Sequence, residues 1–230
     1  MKENPIRYTL LRRKNQKYVR IRINGNGTVR VSAPESMSLG RIQEAVEARR
    51  IWIRRHSERL KKQYEDSDPT QTITYQGNPY RVEIHKSQNN RNRVNLSEDD
   101  KIISVYSNEG GNDAALHALS EWLRRKARQE LLPQVLSLSK KTGIPVKKLY
   151  IRNQKSRWGS SSSRGNISLN FRLVMAPLFV QQYLVIHELC HQKNFNHSKN
   201  FWHEVSRYHP DYRTAEQWLK KNSFLLSLFR

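Results

Sequence analysis

The stretch VIHELCHQKNFNH, residues 185–197, constrains this chain more than any other part of it. It contains His187-Glu188-Leu189-Cys190-His191, an H-E-x-x-H pattern, with His197 five residues beyond. On a helix, His187 and His191 stand one turn apart on one face. Two imidazoles at that spacing can hold one zinc ion, and Glu188 between them can take a proton from a water that the metal activates. The segment LFVQQYLVIHELCHQ predicts a buried helix, because Val180 and Leu184, then Tyr183, Ile186 and Cys190, recur at helical spacing. Pro177 suits the first turn of that helix. Polar groups on a buried helix need partners, and one ion satisfies two histidines at once. A pair of surface histidines with a chance glutamate is the plainer reading, and the burial pattern weighs against it.

A catalytic zinc needs three protein ligands and one open position. His197 is the expected third ligand. A five-residue gap is also the metzincin spacing, with a glycine in the middle that turns the chain sharply. Here that position is Asn194, the non-glycine residue type most tolerant of a left-handed backbone. The rivals are carboxylates further along, Glu204 and Asp211, as in zincins whose third ligand lies on a later helix.

The rest of the chain adds a strong charge. Lys and Arg number 42 against 20 Asp and Glu, a net +22 over 230 residues, and 36% of residues are hydrophobic, enough for a core. Half of the excess lies early: up to residue 65 there are 17 Lys or Arg and 6 Asp or Glu. That concentration predicts a basic face, which suits a polyanionic partner such as nucleic acid. The alternative is a solvated basic surface. Cys190 is the one cysteine, so no intramolecular disulfide forms, and a small buried hydrophobe is its expected role. The start lacks an apolar signal core, and no apolar run reaches membrane-spanning length, so the expected address is cytoplasmic, without a membrane partner.

Along the chain, residues 1–35 read as strands. Val19, Ile21 and Ile23 alternate with Arg20 and Arg22, Asn24–Gly27 forms a turn, and Val29 and Val31 continue the pattern. One basic helix is expected over 38–65, with a stripe of Ile42, Val46, Arg49, Ile51, Trp52 and Ile53. Strands follow around Ile73–Tyr75, Tyr80–Ile84, Val94–Leu96 and Ile102–Tyr106, with a break over Glu109–Asp113. A long helix over 113–141 should kink or split at Pro133 and stop at Gly143. A strand at Leu149–Arg152, a compact loop over 155–163 and a strand from Ile167 to Leu173 lead to the metal helix. Two helices, from Ser198 and from Asp211, close the chain. Three regions are expected: a basic hairpin and helix over 1–66, a β-rich segment over 72–108 and a catalytic region over 112–230. These can also form one continuous domain. There is no internal sequence repeat.

Two blocks, RNQKSRWGSSSSRGNISLNFRLVMAP and VIHELCHQKNFNHSKNFWHEVSRYHPDY, resemble the YgjP-like metallopeptidase family, a relative of SprT-like and other zincin proteases. The resemblance is closest over 145–222 and extends more weakly to the N-terminal hairpin and basic helix. It implies an α+β, zincin-like fold: a small mixed sheet packed on two helices, the second carrying His187, Glu188 and His191, preceded by a β-rich basic N-terminal region. His197 matches the family's third histidine. Where the family commonly reads Arg-Trp-Gly-Ser-Cys, this chain has Ser161.

The expected chemistry is that of a metal-dependent hydrolase acting on a peptide or protein, with one zinc per chain and Glu188 as general base. Three imidazoles also accept other divalent ions. The strand from Ile167 to Leu173 is the expected edge to which an extended substrate adds by backbone hydrogen bonds. Arg157, Tyr208 and Tyr212 are candidates to stabilise an oxyanion, and Asn170 to orient the loop or touch the substrate. Trp158 and Trp202 are expected in the core, Gly159 in a tight turn, and His203 and His209 around the site or at the surface. Two other readings stand beside this one. The same site could hydrolyse a nucleotide or phosphoanhydride, although no glycine-rich phosphate loop is visible. Alternatively, the chain is a nucleic-acid-binding protein with a structural metal, its cations supplied by the N-terminal face and its stacking rings by Tyr18, Trp52 and Tyr64. The oligomeric state is not legible.

Overall fold

Three times along the chain, alternating strands close into the same three-stranded arrangement, to which the middle sheet adds a fourth strand. In each, two strands flank a third that comes later in sequence. The first runs parallel to that central strand and the second antiparallel. The computed structural model describes residues 5–89, 91–107 and 111–229. Packing divides the chain into two units: one runs to Ser67 and takes back Ser223–Leu228, and the other spans Asp68–Asn222 with Phe229.

In the first unit the strands are β1 (Thr9–Arg13), β2 (Arg20–Ile23) and β3 (Val29–Pro34), in the order β1-β3-β2. Alternation sends Val29, Val31 and Ala33 inward, where they pack with Ile42, Val46 and Ile53; Ile21, Ile23 and Leu10 border that cluster. The Asn24–Gly27 turn joins β2 to β3, with Gly27 N–H donating to Asn24 O at 2.9 Å. Gly27 has φ +79°, and a side chain there would meet Ser57 O and Lys61 Cβ at 2.7 Å.

The single helix expected over 38–65 is two: α1 (Leu39–Glu47) and α2 (Arg50–Glu65). Ser38 Oγ caps α1, accepting from Arg41 N–H at 3.4 Å. The break falls at Ala48-Arg49, where Arg49 takes φ −114° and ψ 13°, and neither glycine nor proline marks it. The second helix is therefore out of phase with the first. Ile42, Val46 and Ile53 are buried as the stripe predicts, but Ile51 is 85% exposed and Trp52 44%.

The second unit opens with β4 (Thr72–Tyr75), β5 (Asn78–Lys86), β6 (Arg93–Ser97) and β7 (Ile102–Ser107), in the order β4-β5-β7-β6. Gln76 and Gly77, both at positive φ, form the hairpin turn between β4 and β5. The break expected over Glu109–Asp113 lies partly outside the described residues. Helix α3 (Asn112–Thr142) then runs unbroken through Pro133 and ends at left-handed Gly143. Pro133 sits on the solvent side, while Ala127, Leu131, Val135 and Leu138 keep the buried stripe continuous across it. Core packing on both sides of the proline outweighs the one missing hydrogen bond.

The third sheet holds β8 (Lys148–Arg152), β9 (Gly159–Ser161) and β10 (Asn166–Asn170), in the order β8-β10-β9. Two expectations change here. The strand foreseen from Ile167 to Leu173 stops at Asn170, and Phe171–Met175 is a fully buried 3-10 turn. β10 is also the central strand, paired on both sides, so the edges are β8 and β9 instead. Helix α4 (Leu178–Cys190) follows, with Pro177 at its N-cap rather than within its first turn. Next come α5 (Lys199–Tyr208), capped by Ser198 Oγ, and α6 (Tyr212–Lys221). The molecule is thus α+β, built of small mixed sheets and six α-helices among the described residues. No described helix is long and apolar enough to cross a membrane.

Candidate metal centre

Helix α4 is buried along most of its length, and its last turn brings His187 and His191 to one face. His191, the C-cap, keeps right-handed helical angles, so the four-residue spacing holds. The chain then turns without a left-handed residue. Asn194 N–H donates to Cys190 O at 3.0 Å and Lys193 N–H to the same oxygen at 3.1 Å. Among the described residues Asn194 is not at positive φ, contrary to the glycine-like role expected of it. Its carbonyl instead accepts from His191 Nδ1 at 3.2 Å.

That hydrogen bond sets the chemistry of His191. A carbonyl only accepts, so Nδ1 carries the ring proton and Nε2 presents a lone pair. His187 Nε2 lies 3.2 Å from His191 Nε2 and 3.3 Å from His197 Nε2. Nitrogens in a tetrahedral shell with metal–nitrogen bonds of about 2.0–2.1 Å stand about 3.3–3.4 Å apart. The observed separations match that spacing, so the donor set fits a metal ion. His187 Nδ1, on the far side of its ring, is 3.3 Å from Tyr183 Oη. Burial, and then His191 and His197, push the His187 imidazole down to about 3, and burial lowers His191 as well. Both rings therefore stay neutral, the form that offers a lone pair.

Phe201, fully buried at the start of α5, packs against all three imidazoles, with ring centroids 5.0 Å from His187, 4.5 Å from His191 and 4.9 Å from His197. Trp202 stacks on His197 at 5.6 Å, and Tyr212 stacks on Trp202 at 5.0 Å. Sequence reasoning gave neither Tyr183 nor Phe201 a place at the centre. Tyr183 lies four residues before His187, on the same helix face, and that spacing was the available signal.

Glu188 is 5% exposed. Burial raises its carboxyl to about 8, and the Arg157 guanidinium pulls in the other direction. Gly159, expected to relieve a tight turn, serves a different purpose. Its φ lies outside the left-handed region, and a Cβ there would stand 2.7 Å from Glu188 Oε1. The residue is glycine because the carboxylate occupies the space. Gly159, Ser160 and Ser161 line a cleft with His187, Glu188, His191 and Phe195. Ser161 Oγ is shielded from solvent there and has no hydrogen-bond partner among the described residues.

The remaining candidates fall in several places. Asn170 is wholly buried, and its Nδ2 donates to Gln154 O at 2.6 Å and Arg157 O at 3.0 Å. It braces the loop that leads to β9, helped by buried Arg172, which donates to Asn153 Oδ1 at 2.7 Å. Trp158 is in the core, and its indole N–H donates to Leu219 O at 3.3 Å. Tyr208 turns to the end of α3, donating to Thr142 O at 3.2 Å. Glu204 accepts from Lys193 Nζ at 2.9 Å. Asp211 borders a separate hollow with Phe179, Tyr208 and His209. The three histidines form the metal-capable group among the described residues, and neither rival carboxylate joins it. His209 donates to Phe179 O at 2.9 Å and meets Tyr183 edge-on, while His203 is exposed. Cys190 is fully buried, and burial pushes its thiol up to about 12, so it stays protonated as a small packed hydrophobe requires.

Among curated proteins, none matches the chain. Among solved structures, it is similar to the metallopeptidase zymogen abylysin of Pyrococcus abyssi, with 23% identity over 40% of this chain and 93% of that one, at a TM-score of 0.36. The YgjP-like metallopeptidase domain matches residues 17–222. That match runs from the basic N-terminal strands through the histidine helix, and the chain belongs to the YgjP-like metallopeptidase family.

Proposed function

We propose that this protein is a zinc-dependent peptidase whose metal is held by His187, His191 and His197, with Glu188 as general base. The observation that carries this reading is the convergence of three imidazole nitrogens beside a buried carboxylate, on a cleft bordered by a sheet edge. When bound, zinc supplies a Lewis acid that acidifies water and polarises the scissile carbonyl.

The chain's own groups do the rest. Glu188 takes the proton of the attacking water at a carboxylate oxygen and passes it to the departing amine nitrogen. A carboxyl raised by burial is a stronger base once ionised, and Arg157, whose charge reaches Glu188, favours the ionised form. The Asn194 carbonyl accepts a hydrogen bond from His191 Nδ1, which fixes that ring in the tautomer with a free Nε2, and the Tyr183 hydroxyl meets His187 Nδ1 and holds that ring's orientation. Arg157, whose charge acts on Glu188, is the candidate left for the developing oxyanion, because Tyr208 is bound to the end of α3 and Tyr212 stacks on Trp202.

The peptide binds along β9. Asn170 N–H donates to Trp158 O at 2.7 Å and Ser162 N–H to Asn166 O at 3.0 Å, so even-numbered residues of this strand point their backbone groups toward β10. In an antiparallel ladder the residues between them point the other way. Gly159 and Ser161 thus turn their N–H and C=O groups outward, where an extended substrate can pair with them. Phe195, 71% exposed at the cleft, offers an apolar contact to a substrate side chain.

The test is hydrolysis of a mixed peptide library by zinc-loaded protein, with metal content measured in parallel. Glu188→Gln should keep its zinc and lose activity by at least about a hundredfold, whereas His197→Ala should lose zinc. Full activity in Glu188→Gln rejects the mechanism, and full zinc in His197→Ala rejects the ligand set.

A further inference from the structure

The first unit carries a surface that the peptidase reading does not use. From residue 4 to residue 34 the sequence holds eight Lys or Arg and no Asp or Glu. The fold gathers most of these cations on one side. Since Val31 and Ile21 face the core, Arg20, Arg22 and Arg30 project from the opposite face of the sheet, and all three are exposed. Arg22 and Arg30 are direct partners across the β2–β3 ladder. Like charges placed opposite one another oppose pairing, so this sheet gains nothing from them in isolation.

The loop from β1 to β2 extends the same charge. A cleft is lined by residues 13–18 and Arg20, with Arg13, Lys14 and Lys17 exposed around it. Gln16 ties the loop down by donating to Tyr18 O at 2.5 Å and Ser32 O at 2.6 Å. Tyr18 is left 74% exposed among these cations. Arg12 is not part of the surface, because its guanidinium donates to the carbonyls of Pro34, Glu35 and Met37.

We infer that this face binds single-stranded nucleic acid, with Tyr18 stacking on a base and Arg13, Lys14, Lys17, Arg20 and Arg30 contacting phosphates. An open aromatic ring within a cationic groove is the arrangement that binds unpaired strands with little sequence preference. A lipid surface fits less well, since the loop's one other apolar side chain, Val19, packs toward the core.

The test is fluorescence anisotropy with the full chain and a labelled oligo(dT) of about 16 nucleotides, titrated at several salt concentrations. Anionic vesicles and a duplex of equal length serve as comparisons. Binding should weaken with salt at a logarithmic slope of about −3.5, as about five phosphate contacts require. Arg20→Ser/Arg30→Ser should flatten that slope by about 1.4. Tyr18→Ala should weaken single-strand binding by roughly fivefold or more and leave duplex binding unchanged. Lys14→Ser/Lys17→Ser provides a second charge variant in the loop should the strand double variant unfold. Salt-independent binding, equal binding by the charge variants, an unaffected Tyr18→Ala, or capture by vesicles but not by oligonucleotide would each overturn the proposal.

Discussion

The sheets β1-β3-β2 and β8-β10-β9 share one wiring: a central third strand, the first strand parallel to it and the second antiparallel. They differ in what the antiparallel outer strand carries. In the first sheet it is Arg-Ile-Arg-Ile, which commits its isoleucines to the core and its arginines to solvent. In the second it is Gly-Ser-Ser, with no side chain large enough to hold a neighbour away, and helix α4 brings the Glu188 carboxylate against it. The strand plan is therefore generic. The volume of a few residues on one outer strand separates a sheet that packs and displays charge from one that admits a buried carboxylate.

Two glycines sharpen this contrast most. Gly159→Ala places a methyl group where Glu188 Oε1 lies, and a carboxylate displaced by about 1 Å should cost roughly a hundredfold in peptide turnover. Zinc content should stay near wild type, while crowding of the buried carboxylate should cost roughly 1–3 kcal/mol of stability. A variant that keeps full turnover and full stability breaks the idea that this glycine exists for the carboxylate. In the first sheet, Gly27→Ala forces a left-handed alanine against Ser57 and Lys61. The expected loss is roughly 1–3 kcal/mol of stability, read by denaturant unfolding, with zinc content unchanged. A smaller effect is expected at the edge of the metal centre. Tyr183→Phe removes the oxygen that faces His187 Nδ1 and should weaken zinc binding by about tenfold, measured by competition with a chelator. Unchanged affinity would reduce Tyr183 to packing alone.

The parts of this molecule that were legible beforehand depend on near neighbours in sequence. The four-residue spacing of His187 and His191, the alternation of Ile21 and Ile23, the Asn24–Gly27 turn and the Gly143 stop are all set within a few residues, and each is found where periodicity and turn chemistry place it. Less was legible where two distant segments compete for the same space. Nothing in residues 38–65 signals the break at Arg49, which rotates Ile51 and Trp52 outward while Ile42 and Ile53 share one core. Nor does alternation reveal which strand is the edge: β10 looks like a free strand until β8 and β9 pair with it.

The sequence by itself determined the metal-helix motif, the residue types available to it and the concentration of positive charge at the N-terminus, because helix period, strand period and formal charge are properties of the chain alone. The tertiary structure decided that His197 rather than Glu204 or Asp211 faces the other two imidazoles, that Phe201 backs all three rings, that Asn170 braces a loop instead of facing the cleft, and that Gly159 yields its space to Glu188. Each of these depends on contacts between segments roughly ten to thirty residues apart, and such contacts are settled by close packing of whole elements rather than by local preference.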